Sequence, residues 1–173
     1  MKTTEMELLE SFERTARKYL SGTPALTGLW RLERAGRQSK LHIPSSSPDG
    51  FDVGATCETY GLYPWAGAWR GAPWEPVVGG VDQLCEEYFG FVRALISPDG
   101  RLRLLYRRDR LQMAVVEMRR PDGWKEFEKM RELILPLGKK HEVYRQNQHL
   151  PSRYPFAGLK LTEWGIYPWR DGA

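Results

Sequence analysis

The sequence predicts an α+β fold, in which residues 1–173 form a single domain made mainly of antiparallel β-sheet with helices packed on it. Three observations support this prediction. Apolar residues recur at helical spacing near the N-terminus, much of the remaining chain alternates apolar and polar residues, and tight-turn residues separate the alternating stretches. The chain is long enough to bury one core, and no long linker divides it.

The N-terminal helix is predicted by a start signal, an apolar stripe and a stop signal. Thr4 and Glu7 have the spacing of a capping box, in which each side chain accepts a hydrogen bond from a backbone N–H that the helix start leaves unpaired. Gly22 suits the left-handed conformation that ends a helix. The stripe between these signals consists of Leu9, Phe12, Ala16 and Tyr19. We expect it to lie against a sheet.

Strand-like alternation begins after residue 28. Residues 30–33 and 40–43 alternate around a turn at residues 35–37, which predicts a hairpin with one solvated face. Residues 51–63 are predicted to be extended. Residues 81–91 begin with apolar side chains at helical steps, which predicts a short helix.

A three-stranded meander is predicted for residues 91–96, 101–107 and 111–118, with a Ser-Pro-Asp-Gly turn between the first two strands. Asp122 is a helix-capping residue type, and apolar residues follow it at steps of three and four. The sequence therefore predicts a second helix near residues 123–136, packed on the sheet. Further extended pieces are expected near residues 142–146 and 159–166.

The most unusual stretch is GLYPWAGAWRGAPWEP, residues 61–76, which we name the aromatic segment. It places three tryptophans among Gly, Ala and Pro residues, a composition that predicts neither a helix nor a regular strand. Pro64 and Pro73 stiffen it by fixing their own φ angles. GIYPW at residues 165–169 repeats GLYPW with one change, so we expect the two copies to lie side by side and stack their rings.

A stiff segment that combines three Trp with a Tyr and an Arg is typical of a protein-binding surface. We therefore expect a non-catalytic cytoplasmic protein that binds another protein, one form of which is a toxin-neutralising, immunity-type protein that covers a toxin's active site. The expected contact residues are Tyr63, Trp65, Trp69, Arg70, Trp74 and Glu75. The competing interpretation is structural, with the indoles folded back over the sheet and buried.

A basic run at residues 101–111 supports a second hypothesis, the binding of nucleic acid by a sheet face. Side-chain alternation places several arginines on one face of one strand, and another arginine lies at the far end of the next strand. These residues are Arg101, Arg103, Arg107 and Arg119. The alternative for this face is a solvated surface on which acidic residues such as Glu117 neutralise the arginines.

A third hypothesis is a carbohydrate or small-ligand site, binding or hydrolytic, floored by the tryptophans with carboxylates nearby. The chain has no Gly-x-Ser-x-Gly elbow, no phosphate-binding glycine loop and no pair of histidines one helical turn apart. We therefore expect no catalytic residue, no cofactor and no metal. Residues 49–92 carry one Lys or Arg against seven Asp or Glu, which disfavours phosphate binding by the aromatic segment.

The N-terminal region lacks the apolar core of a signal peptide, and no apolar run is long enough to cross a bilayer. Cys57 and Cys85 are too few for a disulfide framework and are expected to be reduced, buried thiols, with a single bridge as the alternative in an oxidising compartment. Both observations favour a cytoplasmic protein with no membrane partner.

Overall fold

Two antiparallel sheets, a two-stranded ribbon and two helices make up the part of the chain that the computed structural model describes, namely residues 2–76, 80–131, 139–152, 160–162 and 165–167. The helices are α1 (Lys2–Ser21) and α2 (Gly80–Leu95), and a 3-10 turn covers Pro24–Leu26. The strands are β1 (Arg31–Ala35), β2 (Gln38–Ile43), β3 (Val53–Glu58), β4 (Gly61–Ala66), β5 (Trp69–Arg70), β6 (Gly100–Arg107), β7 (Arg110–Arg120), β8 (Gly123–Arg131), β9 (Lys140–Gln146), β10 (Lys160–Thr162) and β11 (Gly165–Tyr167). This architecture confirms the predicted α+β class.

The first sheet is a meander in which each strand pairs with the next, in the order β1-β2-β3-β4-β5. The predicted hairpin is confirmed as β1 and β2, with Leu32 opposite Leu41. Alternation of side chains divides this sheet into a core face and a solvated face, which we call the outer face. The core face carries Leu41, Ile43, Val53, Ala55, Cys57, Leu62 and Ala66, all buried.

The second sheet has the order β8-β7-β6-β9. Residues 101–107 and 111–118 form β6 and β7 as predicted, but residues 91–96 do not supply the third strand. Helix α2 runs on to Leu95 because Phe91, Val92, Ala94 and Leu95 are all buried, and a short apolar run fits a buried helix as well as a buried strand. The predicted short helix at residues 81–91 is thus confirmed and longer than expected.

The second helix that the sequence predicts near residues 123–136 is wrong for the described part of that range. Residues 123–131 form β8, an edge strand with a register shift opposite Val116 and Glu117. This bulge lets Phe127 and Met130, three residues apart, both pack against the core. The resulting step of three imitates helical spacing. Residues 132–136 lie outside the described residues.

Helices α1 and α2 pack against each other over the core face of the first sheet. The stripe on α1 is confirmed, since Leu9, Phe12 and Ala16 have no exposed area. Phe12 lies 5.9 Å from Tyr88 and 5.7 Å from Phe89, measured between ring centroids. One continuous core therefore joins both helices and both sheets.

Asn147 ties the two sheets together just after β9. Its side chain is fully buried and donates hydrogen bonds from Nδ2 to the carbonyls of Phe51 (2.8 Å) and Leu95 (3.1 Å). Its Oδ1 accepts from the N–H of Phe51 at 3.2 Å. One side-chain amide therefore satisfies buried backbone groups of the loop before β3 and of the α2 C-terminus. These groups lie outside the strand pairs of both sheets.

Candidate functional site

The aromatic segment forms a hairpin rather than the irregular loop that its composition suggests. Strand β4 contains Pro64, and β5 follows after a turn in which Gly67 has a φ of 52°. The carbonyl of Pro64 accepts a hydrogen bond from Gly71 N–H at 3.0 Å, so the proline nitrogen faces the short edge strand and the ladder to β3 loses no donor. The prediction that this segment is not a regular strand is therefore wrong.

Trp69 belongs to the core. Its side chain has no exposed area, and its ring lies 5.9 Å from the Phe91 ring. Gly71 covers the indole so closely that a Cβ there would come within 2.5 Å of it. The indole N–H has no hydrogen-bond partner within the described structure. No partner protein can reach this ring while the hairpin stays folded, so we remove Trp69 from the expected contact residues.

Trp74 joins the hairpin to α2 and to the second sheet. Its ring meets Tyr88 edge-on at 5.9 Å and lies 5.5 Å from Phe91 and 6.3 Å from Phe127. Next to this contact, Ala72 N–H donates a 2.7 Å hydrogen bond to Glu128. Burial raises the pKa of Glu128 more than this hydrogen bond lowers it. Trp74 is half-buried, and its contacts are structural.

Trp65 lies on the outer face, in a row that crosses all five strands. The row runs Arg31, His42, Gly54, Trp65, Arg70, each residue opposite the next. The indole crosses Gly54, where a Cβ would come within 2.5 Å of Cζ2. The His42 ring stacks 5.8 Å from it at 21°, and the Arg70 guanidinium lies 5.7 Å from its centroid. Trp65 is therefore a partly exposed ring with fixed neighbours.

Hydrogen bonds hold both of these neighbours in place. Arg70 donates from Nη1 to the carbonyls of Gly67 (2.7 Å) and Trp69 (2.9 Å). His42 Nε2 lies 2.9 Å from Asp52, which also accepts from Ser45 N–H at 2.9 Å. Burial of the Asp52 carboxylate raises its pKa, but these hydrogen bonds outweigh burial, so the pKa of Asp52 lies below its ordinary value.

The structure thus separates the six predicted contact residues. Tyr63 lies two residues before Trp65 on the same face of β4 and is 37% exposed. It joins Trp65 and Arg70 on the outer face. Glu75 is exposed but follows Trp74 at the sheet edge and is not part of this group.

The second copy of the repeated phrase does not pair with the first. Strand β11, which contains Gly165 and Tyr167, pairs with β10, whereas the neighbours of β4 are β3 and β5. The expected strand pairing of the two copies is therefore wrong. The ring stacking expected of them lies outside the described side chains.

The arginines of the second sheet are engaged by carboxylates and rings. Arg103 contacts Glu117 (2.7 Å), Glu126 (2.6 Å) and Glu142 (3.3 Å). Arg101 binds Glu117 at 2.6 Å, and its guanidinium lies between the rings of Trp124 (4.3 Å) and Tyr144 (4.4 Å). Arg107 and Arg119 also have partners. Arg101 and Arg103 therefore fit the alternative in which acidic residues neutralise the arginines of this face. A nucleic-acid role for the face remains a prediction.

Sequence reasoning missed the contribution of His42 and Gly54. His42 lies on the solvated face predicted for the β1–β2 hairpin, and Gly54 lies in the stretch predicted to be extended. Gly54 sits in regular pairing and makes room for Trp65. A glycine inside an alternating strand is the available signal for such a close approach. Its partner depends on register, which the sequence does not reveal.

Metal binding and a carboxylate site beside the aromatic segment find little support in the described residues. No three His, Cys, Asp or Glu side chains there are placed to hold a metal ion. Asp82 and Glu86, which lie after the aromatic segment, are paired with Arg14 (2.5 Å) and Lys18 (2.9 Å) of α1.

Cys57 and Cys85 are free, buried thiols, as expected from the sequence. Burial raises the pKa of Cys85 to about 11 and also raises that of Cys57. Neither thiol is activated as a nucleophile.

Within the described residues, no helix combines the length and apolar character needed to span a bilayer. The chain matches no protein-family model, no curated protein and no solved structure.

Proposed function

We propose that this chain is a non-catalytic binding protein that contacts another protein through the outer face of its first sheet. The observation that supports the proposal is the position of Trp65, a partly exposed indole held across Gly54 between His42 and Arg70. Most other side chains on this face are solvated, and Arg31, Glu33, Lys40, Tyr63 and Arg70 are exposed. The face is therefore accessible as well as aromatic.

The composition of this face favours a protein partner. Trp, Tyr and Arg are the residue types that dominate binding energy at protein interfaces. The hydrogen bonds that Arg70 donates and the packing of Trp65 reduce the conformational entropy that binding must remove. A strand surface that is ordered before binding is suited to a partner with a complementary rigid surface.

The partner chemistry follows from the side chains beside the indole. Trp65 suits an apolar or aromatic side chain, and Arg70 suits a carboxylate next to it. A toxin-neutralising, immunity-type role is one form of this proposal, since such a protein covers a partner's active site with a preformed surface. The free, buried thiols Cys57 and Cys85 favour a reducing, cytoplasmic setting.

The test begins with capture of partners from native lysate by the full chain. The captured protein is identified and purified, and its Kd is then measured by calorimetry for the wild type and for Trp65→Ala and Arg70→Ala. We expect Trp65→Ala to weaken binding roughly 30-fold, the effect of losing about 2 kcal/mol at an interface hot spot. Binding that rests on this ring should change little with salt.

Trp124→Ala is the matched control, because Trp124 also contacts an arginine but lies on the other sheet. Its partner affinity should equal that of the wild type. If Trp65→Ala and Arg70→Ala bind the partner as tightly as the wild type, the proposal is wrong.

A sugar or small ligand on Trp65 is the second candidate, because the Asp52 carboxylate lies beside the His42 ring that stacks on this indole. Binding would change tryptophan fluorescence, and this signal would be lost in Trp65→Ala. A panel of sugars that leaves the wild-type spectrum unchanged would remove this candidate.

A further inference from the structure

Several exposed basic residues lie at the end of the second sheet where a tight turn joins β6 to β7. Arg107 lies opposite Arg110 on one side and opposite Lys140 on the other, so three strands bring basic residues into one row about 5 Å apart. Arg131 ends the edge strand β8 opposite Met113. We call five exposed residues the basic tip, namely Arg108, Arg110, Arg131, Lys139 and Lys140.

The basic tip differs from the neighbouring face in its ion pairing. Arg101 and Arg103 are surrounded by Glu117, Glu126 and Glu142. Within the described residues, none of the five side chains of the basic tip forms an ion pair. Exposed cations without carboxylate partners repel one another and attract anions.

The turn that carries Arg108 has an unfavourable backbone conformation. Arg108 and Asp109 form the two-residue connection between β6 and β7, with φ angles of 46° and 61°. Both angles lie in the left-handed region, where tight hairpins normally use Asn and Gly. A long side chain such as Arg is disfavoured there. Residues held in such conformations cluster at functional sites, so the backbone conformation of Arg108 supports a ligand-binding role for this residue.

One exposed aromatic ring lies next to the cations along the chain. His141 directly follows Lys140 and is exposed, and its ring stacks on that of the partly buried Tyr106, with centroids 5.3 Å apart and an angle of 11°. Nucleic-acid bases are flat aromatic groups that stack on such rings, and a phospholipid headgroup offers no such group. The combination of unpaired cations and an exposed ring favours single-stranded nucleic acid among polyanions.

We propose that the basic tip binds the phosphate backbone of single-stranded nucleic acid, with His141 stacking on a base. This site is separate from the outer face of the first sheet, so it is tested independently of the protein-binding proposal. It also differs from the arginine face predicted from the sequence, because Arg101 and Arg103 are occupied.

The experiment measures the anisotropy of a fluorescent oligo(dT) of about 20 nucleotides as the full chain is added at several salt concentrations. Five phosphate contacts predict a slope of log K against log salt of about −3.5, since each contact on a single strand contributes about 0.7. Arg108→Asn combined with Arg110→Ser should make the slope shallower by about 1.4 and weaken binding roughly 25-fold at 0.1 M salt. His141→Ala should weaken it about fivefold or more.

Two features of the variants separate binding from folding. Asn tolerates the left-handed conformation better than Arg, so Arg108→Asn should leave the unfolding midpoint unchanged or raise it. Asp109→Gly keeps every cation of the basic tip and removes a nearby carboxylate, so it should bind at least as tightly as the wild type.

The charge-matched control is Arg17→Ser with Lys125→Ser, which removes two exposed cations elsewhere. Its affinity for the oligonucleotide should match the wild type. The proposal is overturned by no binding, by equal losses in the control and basic-tip variants, or by a slope that the Arg108 and Arg110 changes leave unaltered. Capture by vesicles of phosphatidylcholine and phosphatidylserine, without oligonucleotide binding, would assign the basic tip to a membrane and also overturn it.

Discussion

Trp65 and Gly54 form a cross-strand pair in which the indole occupies the space that a side chain at position 54 would need. A Cβ on Gly54 would come within 2.5 Å of Trp65 Cζ2 and would also meet the carbonyl of Leu41. The orientation of the outer-face indole therefore depends on a residue with no side chain.

Gly54→Ala should destabilise the protein and displace Trp65. We expect a loss of about 1 to 3 kcal/mol in the free energy of unfolding, the usual range for overpacking, together with a shift in tryptophan emission. Gly90→Ala is the control, because Gly90 lies inside α2 with nothing within 4 Å of its Cβ position. That change should stabilise by about 0.5 to 1 kcal/mol, and a stable Gly54→Ala with unshifted emission would contradict the packing described above.

Trp69→Ala and Trp65→Ala should have different effects on stability. Trp69 is fully buried, so its truncation should cost about 3 to 5 kcal/mol in denaturant unfolding. Trp65 is partly exposed, and its loss should cost less than half as much. The sequence alone led us to expect Trp69 among the residues that contact a partner, and its burial reverses that expectation. Equal losses for the two variants would show that both rings are core residues.

Asn147→Ala should be strongly destabilising although it removes only a small polar group. The change leaves the N–H and carbonyl of Phe51 without the hydrogen bonds that Asn147 supplies in the core. Each unsatisfied group costs about 1 to 3 kcal/mol, so we expect a total of at least 2 kcal/mol by urea unfolding. Gln148→Ala removes a neighbouring exposed amide and should cost less than about 0.5 kcal/mol.

Glu117→Gln should cost more stability than Glu126→Gln. Glu117 is 5% exposed and binds two guanidinium groups, whose charges would lose their buried partner. Breaking a buried pair costs about 3 to 5 kcal/mol, whereas an exposed pair such as Arg103 with Glu126 contributes about 1 kcal/mol or less. Thermal unfolding of the two variants measures the difference, and similar melting temperatures would refute it.

Asp52 should contribute to stability in a pH-dependent way. Its pKa is lowered in the folded state, so its contribution is present above the ordinary aspartate value of about 3.9 and is lost as pH falls through the lower folded value. Asp52→Asn should therefore be less stable than the wild type at pH 7, with the difference shrinking towards zero at the acid end. Asp49→Asn, an exposed neighbour, is the control. A difference that stays constant across this range would contradict the assignment.

The core-facing half of the fold follows from local patterns in the sequence. The α1 stripe of Leu9, Phe12 and Ala16 and the β1–β2 hairpin are both predicted, because a period of 3.6 or of 2 is visible without knowledge of any partner. Helix α2 and strand β8 were harder to assign. A continuous apolar run has no period to read, and a bulge near Phe127 converts a period of two into a step of three.

The sequence by itself determined that the chain folds as α+β, that three of the seven tryptophans lie in residues 61–76, and that the C-terminal half is basic. Only the tertiary structure decided that Trp69 is buried while Trp65 is partly exposed, and that Arg101 is paired while Arg108 forms no ion pair with any described residue. The physical reason is that exposure and ion pairing depend on which strands become neighbours and in which register. That choice is made by packing across distant parts of the chain, and a local stretch of sequence does not contain it.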